Sequence, residues 1–573
     1  MQEKAQTGYP SIDKPWLKYY SEEAIRQQIP QLSLYEYLWM CNKNHLDDIA
    51  LLYYDKKMSY RKLFLEIDKA AAAYHEIGVK KTEIVTIVAL SSPEIVISLY
   101  ALNKVGAIVN VVNAMASKKE LKDYLNEASS KVLICWEPFY ENVKDLLKET
   151  QVEKVILIDP LYYASFNKKC IGRIRTHRQN IKNVLVIKWA QFLRKRQFKD
   201  ICEEFIPNSA CIIAHTGGTT GVPKGVLISN EAVNTVAMQY AMICKHKRQE
   251  IYMDLIVPFV IYGIAVNMHM PLCMGLKTVL VPYFKTEDIP KFFIHYKPNI
   301  VISIPSYWMP LLKDKNAQKR DFSNIRLAAA GGDGLTTDVQ KKVTAFLEEH
   351  NSNAKLLNGY GMTELCSVAI SNFDFAMKPG SIGIPMPKVI VKIVNPETFE
   401  EMKYGESGEI CVRSSCEMLG YYKNKIATDE LIRTHGDNLK WLHTGDLGYV
   451  EEDGFVYMTG RIRRIILTTY TEIPAKIFPD EIEKIIQKHS AVESCCVVKV
   501  PHFKYGYVSA AYIVLNDKVK YDCEKIKEEL RELCHKNLPE YACPFEYRFR
   551  QSLPLTTVGK VDWKRLEEES VTT

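Results

Sequence analysis

Short apolar runs rich in branched side chains recur along this chain with helical patterns between them, and that alternation constrains its fold most. Ile84–Leu90, Lys131–Cys135, Val155–Ile158 and Ile300–Ile304 read as strands buried on both faces. Ser92–Lys104 and Lys118–Ala128 read as helices between them. Alternation of this kind predicts an α/β fold with parallel sheets covered by helices on both faces. At 573 residues the chain exceeds what one hydrophobic core supports, so more than one domain is expected. From about Val389 the strands crowd together between glycine turns, as in Gly405–Arg413 and Glu452–Gly454, which predicts a smaller β-rich subdomain. After Gly460-Arg461 a compact α+β pattern follows. It has a helix over Pro479–Lys488, strands near Cys495–Val500 and Ser509–Leu515, and a helix over Cys523–His535. The expected division is a large two-sheet N-terminal domain with its β-rich subdomain over 1–461, and a small C-terminal domain over 462–573.

Composition excludes several classes. A chain 47% hydrophobic and 25% charged is ordinary for a soluble globular protein. A net charge of +7 is mild at this length and argues against a nucleic-acid partner. The 15 cysteines are scattered, with no C-x-x-C pair, which argues against a disulfide or zinc framework and favours a reducing cytoplasm. Met1–Gln6 has no apolar run and does not read as a signal peptide. Leu255–Leu276 carries no Asp, Glu, Lys or Arg, long enough to span a bilayer, but prolines, glycines, Asn267 and His269 interrupt it. It reads as a buried segment beside a ligand pocket. Residues 167–199 hold a basic insert, including Lys168, Lys169, Arg173, Arg175, Arg178, Arg194, Lys195 and Arg196. A solvated face explains it; a peripheral contact with anionic lipid, coenzyme A or a carrier protein is the sharper alternative.

The chemistry starts at Ala214-His-Thr-Gly-Gly-Thr-Thr-Gly-Val-Pro-Lys-Gly225. Glycines let backbone N–H groups approach an anion, threonine hydroxyls add donors, and Lys224 adds a point charge, so the loop suits a polyphosphate. It is not a G-x-x-x-x-G-K-[ST] loop, because Val222 or Pro223 stands where the second glycine belongs. Asn358-Gly-Tyr-Gly-Met-Thr-Glu364 follows, then Trp441–Gly448 with Thr-Gly-Asp446, then Gly460-Arg461, and finally Leu553–Lys560.

In this order and spacing the five segments resemble the adenylate-forming superfamily, from roughly residue 35 to 568. Its members are acyl-CoA synthetases, the adenylation domains of nonribosomal peptide synthetases and beetle luciferases. The resemblance implies two half-reactions: a carboxylate attacks the α-phosphate of ATP to give acyl-AMP and pyrophosphate, then an acceptor thiol displaces AMP. It implies that Thr216, Gly217, Gly218, Thr219, Thr220, Gly221 and Lys224 hold the phosphates and that Glu364 is a ligand of Mg²⁺. Tyr360 would stack on adenine beside the backbone of Gly332, Asp333 and Gly334. Asn358, Gly359, Gly361, Met362 and Thr363 complete that wall. Asp446 would take the ribose hydroxyls and Arg461 the ribose or phosphate. Lys560, on a C-terminal domain acting as a mobile lid, would bridge carboxylate and α-phosphate. Thr216, Lys224, Glu364 and Lys560 are the implied catalytic set.

Two departures matter. The hinge, usually Gly-Arg-x-(Asp or Lys)-Asp in the family, reads Gly460-Arg-Ile-Arg-Arg464, with Arg463 in place to act as pivot. The loop Thr468–Pro479 lacks the usual glycine that lets pantetheine pass, and it is a few residues longer. The acceptor therefore stays open among coenzyme A, a carrier-protein thiol and an amine, with coenzyme A preferred; a nucleotide-binding pseudoenzyme is the non-catalytic alternative. The segment Pro258–Ala265 lacks the aspartate of amino-acid-activating members, and an unpaired buried ammonium costs several kcal/mol. Phe259, Ile261, Tyr262, Ile304, Trp308 and Met309 are instead expected to line an apolar pocket for a fatty or aryl acid, in keeping with fatty acid metabolism, with plain core packing the other reading of each.

Overall fold

The computed structural model describes residues 7–164, 184–194, 201–216, 224–470, 475–516, 522–556 and 560–571. Two large sheets form its body. The first has eight strands, in the order Gly420–Tyr421, Gly225–Ser229, Ala210–His215, Ile108–Val111, Ile84–Val88, Val132–Trp136, Lys154–Ile158 and Leu185–Lys188. From Ala210–His215 to the far edge every pairing is parallel. The second has nine strands, and its central run Leu356–Tyr360, Leu327–Gly331, Ile300–Ser303, Ile251–Asp254, Lys277–Leu280 and Ile49–Tyr53 is parallel too. Strands such as Ile84–Val88 and Val132–Trp136 are buried at every position, as continuous branched runs require in a sheet covered on both faces.

The expected α/β class is observed, and the helices follow their local signals. Ser117 closes a capping box with Glu120 at the start of Lys118–Ala128. Pro93 opens Pro93–Lys104, whose missing N–H is no loss in a first turn, and that helix is buried along its whole length. Leu255–Leu276 folds as a buried turn and a helix that runs from Ile261 through a π-helical turn at Ala265–His269 to Cys273. Among the described residues no helix is long and apolar enough to cross a membrane.

Beyond Val389 five strands form a separate antiparallel sheet, with Lys440–Val450 at its centre and Val456–Arg461 paired to it. Further on, Val492–His502 and Gly506–Leu515 form a hairpin joined in parallel by Glu546–Arg550. Helices Pro479–Ile486 and Cys523–Asn537 cover this sheet, and residues from Ile466 to Tyr547 build an apolar core of their own. Arg464 joins this unit to the preceding strands. Its guanidinium pairs with Asp480 and Glu483 and donates to the Val497 carbonyl at 2.9 Å, while Asp480 also accepts the Arg461 N–H at 3.1 Å.

Strand ends set the position of the site. Leu327–Gly331 and Leu356–Tyr360 pair with Gly331 opposite Gly359 and then run into glycine turns. Gly332 needs its positive φ of 81°, which a side chain would strain. A Cβ on Gly361 would fall 1.5 Å from the Ser367 carbonyl oxygen, so the backbone itself excludes a side chain there. Gly334 faces open space. Gly361→Ala is therefore expected to lower the thermal midpoint, on an overpacking cost of about 1–3 kcal/mol, while Gly334→Ala leaves it near wild type; thermal unfolding of both variants is the measurement.

Candidate functional site

A cavity of about 1400 Å³ opens at the carboxyl ends of the second sheet's parallel strands, between the two large sheets, the antiparallel sheet and the C-terminal unit. Ligands of open α/β sheets bind at such strand ends. Thr216, Lys224, Gly332, Asp333, Gly359, Tyr360, Gly361, Met362, Thr363, Glu364, Asp446, Arg461 and Lys560 all line it. Asn358 and Gly334 do not. Asn358 sits one residue back in the strand, where its carbonyl accepts the Asn372 N–H at 2.8 Å, and Gly334 faces outward. Gly217, Gly218, Thr219, Thr220 and Gly221 lie outside the described residues, as does most of the basic insert.

The glycine loop joins two antiparallel strands, Ala210–His215 and Gly225–Ser229. Its base is clamped by two hydrogen bonds. The Thr216 N–H donates to the Lys224 carbonyl at 3.1 Å, and the Lys224 N–H donates to Thr216 Oγ1 at 3.2 Å. The Lys224 ammonium stands 4.8 Å from the centre of the Tyr421 ring, whose hydroxyl donates to Glu364 Oε1 at 2.6 Å. Lysine, phenol and carboxylate thus form one chain along the wall. Glu364 is 7% exposed, and burial raises its pKa against the Tyr421 hydroxyl, Lys224 and Lys560.

Across the cavity, Asp446 and Arg461 are direct partners on adjacent antiparallel strands. Arg461 Nε lies 3.0 Å from Asp446 Oδ1, and the Tyr360 hydroxyl donates to Asp446 Oδ2 at 2.7 Å. Burial raises the Asp446 pKa, with Arg461 and Tyr360 opposing. The Lys560 side chain touches solvent at the cavity mouth, yet the walls around it and the Arg461 charge lower its pKa; Asp333, Asp446 and Glu364 oppose that shift. A cation here faces three carboxylates and one guanidinium.

One part of the cavity wall is apolar. Phe259, Ile261, Tyr262 and Ile304 line it, joined by Met115, Tyr240, Val260, Ile302, Tyr307 and Val368. Trp308 and Met309 do not, contrary to the sequence expectation. Helix Pro305–Lys313 turns Trp308 into the core, where it is 0% exposed, its ring 5.5 Å from Phe293 and its indole N–H 3.3 Å from the Ala329 carbonyl. Met309 is half-buried away from the cavity. An apolar tripeptide does not reveal which of its members faces a cavity; Ser306 and Tyr307 do so here.

Three further residues line the cavity, of which Tyr421 carries no sequence signal of its own. Tyr421 is read only through its bond to Glu364. His215 precedes the glycine loop, its Nε2 2.7 Å from Asn110 Oδ1, and burial lowers its pKa to about 4. Arg463 lines the cavity and forms no ion pair among the described residues.

A profile of the AMP-binding enzyme family matches residues 38–422, and that of the AMP-binding enzyme C-terminal domain matches 481–560. A long-chain-fatty-acid–CoA ligase of Bacillus subtilis is 28% identical, over 97% of this chain and 98% of its own. The crystal structure of a benzoate CoA ligase from Burkholderia xenovorans superposes with a TM-score of 0.79 at 19% identity, covering 94% of this chain and 100% of its own. An amide bond synthetase from Marinactinospora thermotolerans superposes with a TM-score of 0.76 at 20% identity, covering 93% and 99%.

The two neighbours on helix Pro305–Lys313 separate stability from ligand fit. Trp308→Ala is expected to cost about 3–5 kcal/mol and lower the thermal midpoint. Tyr307→Ala, which loses a half-buried ring packed on Phe284, is expected to lower the midpoint less than Trp308→Ala while changing the affinity of an apolar fluorescent probe, measured by displacement titration.

Proposed function

The chain belongs to the AMP-binding enzyme family, and from that premise we propose that it activates a fatty or aryl carboxylic acid as its acyl-AMP and transfers the acyl group to coenzyme A. The single observation that carries this reading is one cavity lined both by the phosphate, ribose and base residues and by a continuous apolar wall.

In this reading ATP lies with its base along Gly332, Asp333 and Tyr360 and its ribose hydroxyls on Asp446. Its phosphates lie on the loop that begins at Thr216 and ends at Lys224. Asp446 already accepts from a phenol and pairs with a guanidinium, so its lone pairs are aimed before any ribose arrives. The acid lies along Phe259, Tyr262 and Ile304 with its carboxylate toward the α-phosphate. Carboxylate oxygen forms a bond to phosphorus as the bond to pyrophosphate breaks. Lys560 holds its ammonium between the two anions, where Coulomb repulsion would otherwise keep them apart. Glu364 is a buried carboxylate facing the phosphate side, a hard oxygen donor that fits Mg²⁺ and would hold it. When bound, that ion offsets the charge of the leaving pyrophosphate.

We further propose that residues 1–461 act as the body and 462–573 as a rotating lid, so that Lys560 serves adenylation and other lid residues serve transfer. Free cysteines throughout the described residues support a cytoplasmic site of action. The acceptor rests on a narrower base. Loop Thr468–Pro479 has side chains where a glycine would leave room for pantetheine, and the fold is shared with an amide bond synthetase. A carrier-protein thiol or an amine is therefore the second reading.

Acid-dependent pyrophosphate release, measured over a panel of aliphatic and aryl acids with and without coenzyme A, tests the assignment. Release with one acid class and a coenzyme A thioester product are expected; nucleotide binding with no release for any acid would leave only a pseudoenzyme. Lys560→Ala is expected to lose acyl-AMP formation by about 10²–10³-fold while keeping thiolation of supplied acyl-AMP. Equal loss of both steps would remove Lys560 from the adenylation role.

A further inference from the structure

The antiparallel sheet beside the cavity buries a second group of reactive side chains. Cys411 and His443 stand directly opposite each other on strands Gly408–Ser414 and Lys440–Val450. His435 begins the turn that leads from Ile432–Thr434 into the second of these strands. Their exposures are 0%, 5% and 7% for Cys411, His443 and His435. The cysteine sulfur and one nitrogen from each imidazole lie within 4.8 Å of one another.

Each ring is held in place. His443 Nδ1 is 2.8 Å from Glu409 Oε2, so a neutral His443 donates there and turns the lone pair of Nε2 toward the group. A carboxylate behind the ring is the arrangement that orients metal-binding histidines. His435 packs between Phe399 and Trp441, with ring centres at 6.0 and 6.1 Å. Its Nε2 is 2.9 Å from Nε2 of His443, and its Nδ1 is buried with no hydrogen-bond partner. The two Nε2 atoms therefore face each other inside the sheet, beside the Cys411 thiol.

We propose that Cys411, His435 and His443 bind a zinc ion. One thiolate and two imidazoles form a borderline-soft donor set that suits zinc better than the hard cation of a phosphate site. Two nitrogens on a tetrahedral zinc lie about 3.3 Å apart at Zn–N distances of about 2.0 Å, so the rings part by a few tenths of an ångström. On binding, the Cys411 thiol gives its proton to solvent as the zinc–sulfur bond forms. That thiolate and Glu409 together offset the two charges of the ion. His443, Glu409 and Phe399 also line the large cavity, which supplies an entry route and a water for the fourth position. In the sequence these ligands are 24 and 8 positions apart (411 to 435, 435 to 443), with no C-x-x-C pair, so only the sheet register brings them together.

The site connects to the nucleotide residues without sharing any ligand with them. Glu409 Oε1 accepts the Gly445 N–H at 2.9 Å, one residue before Asp446. A bound ion therefore stiffens the strand that carries Asp446.

The test is metal analysis of full-length protein, stripped with chelator and titrated first with Co²⁺ and then with Zn²⁺. About one equivalent of zinc per chain is expected, together with a thiolate-to-cobalt charge-transfer band that zinc bleaches. Cys411→Ser should lose the band, His435→Gln should lower zinc retention to background, and Cys416→Ser should keep both. Absence of the band in wild-type protein, or its persistence in folded Cys411→Ser, overturns the proposal. The wild-type spectrum decides the matter even if a variant fails to fold, and a hard magnesium-type site gives no such band.

Discussion

The pairing of Arg461 with Asp446 is the contact on which the rest of the site depends. It lies across two antiparallel strands, so its geometry is fixed by sheet register and not by a flexible loop. On one side Asp446 takes the Tyr360 hydroxyl and thereby ties the antiparallel sheet to the end of the nine-stranded sheet. On the other, the Arg461 backbone donates to Asp480, which pairs with Arg464 at the entrance to the C-terminal unit. One buried carboxylate thus links three bodies of structure. Removing its cation would leave the buried Asp446 carboxylate without its charge partner, a larger loss than that of a pair exposed on both sides.

Much of this was legible in the sequence. Buried parallel strands announce themselves as unbroken branched runs, and Ile84–Val88, Val132–Trp136 and Ile300–Ser303 fall where those runs fall. The helix starts at Pro93 and Lys118 follow from a proline in the first turn and a capping box. What the sequence does not carry is which side of a helix meets a cavity. Tyr307, Trp308 and Met309 are all largely apolar, and the packing of Trp308 against Phe293 leaves Tyr307 on the cavity side. Tyr421 was invisible for a different reason. Its significance lies in a contact with Glu364 across 57 residues, and no local pattern encodes that.

The same distinction separates the two halves of the proposed reaction. Activation relies on residues whose types are specific, such as an aspartate between phenol and guanidinium or a lysine at a cavity mouth. Acid choice relies on volume and shape, to which many apolar side chains contribute interchangeably. Acceptor choice, in that proposal, would rest on the side chains between Thr468 and Pro479. The farther a step depends on shape and not on charge, the less of it a residue pattern can reveal.

The hairpin that holds the glycine loop has an electrical consequence. A phosphate loop that leads into a helix borrows the partial positive charge of that helix's first turn. Here the chain returns at Gly225 into a strand, whose dipoles largely cancel. An anion seated on this loop would meet, besides the loop's own backbone donors, the Lys224 cation rooted in the hairpin base itself. To the extent that this side-chain charge holds a phosphate, ionic strength should weigh more heavily on its capture than where a helix dipole does the same work.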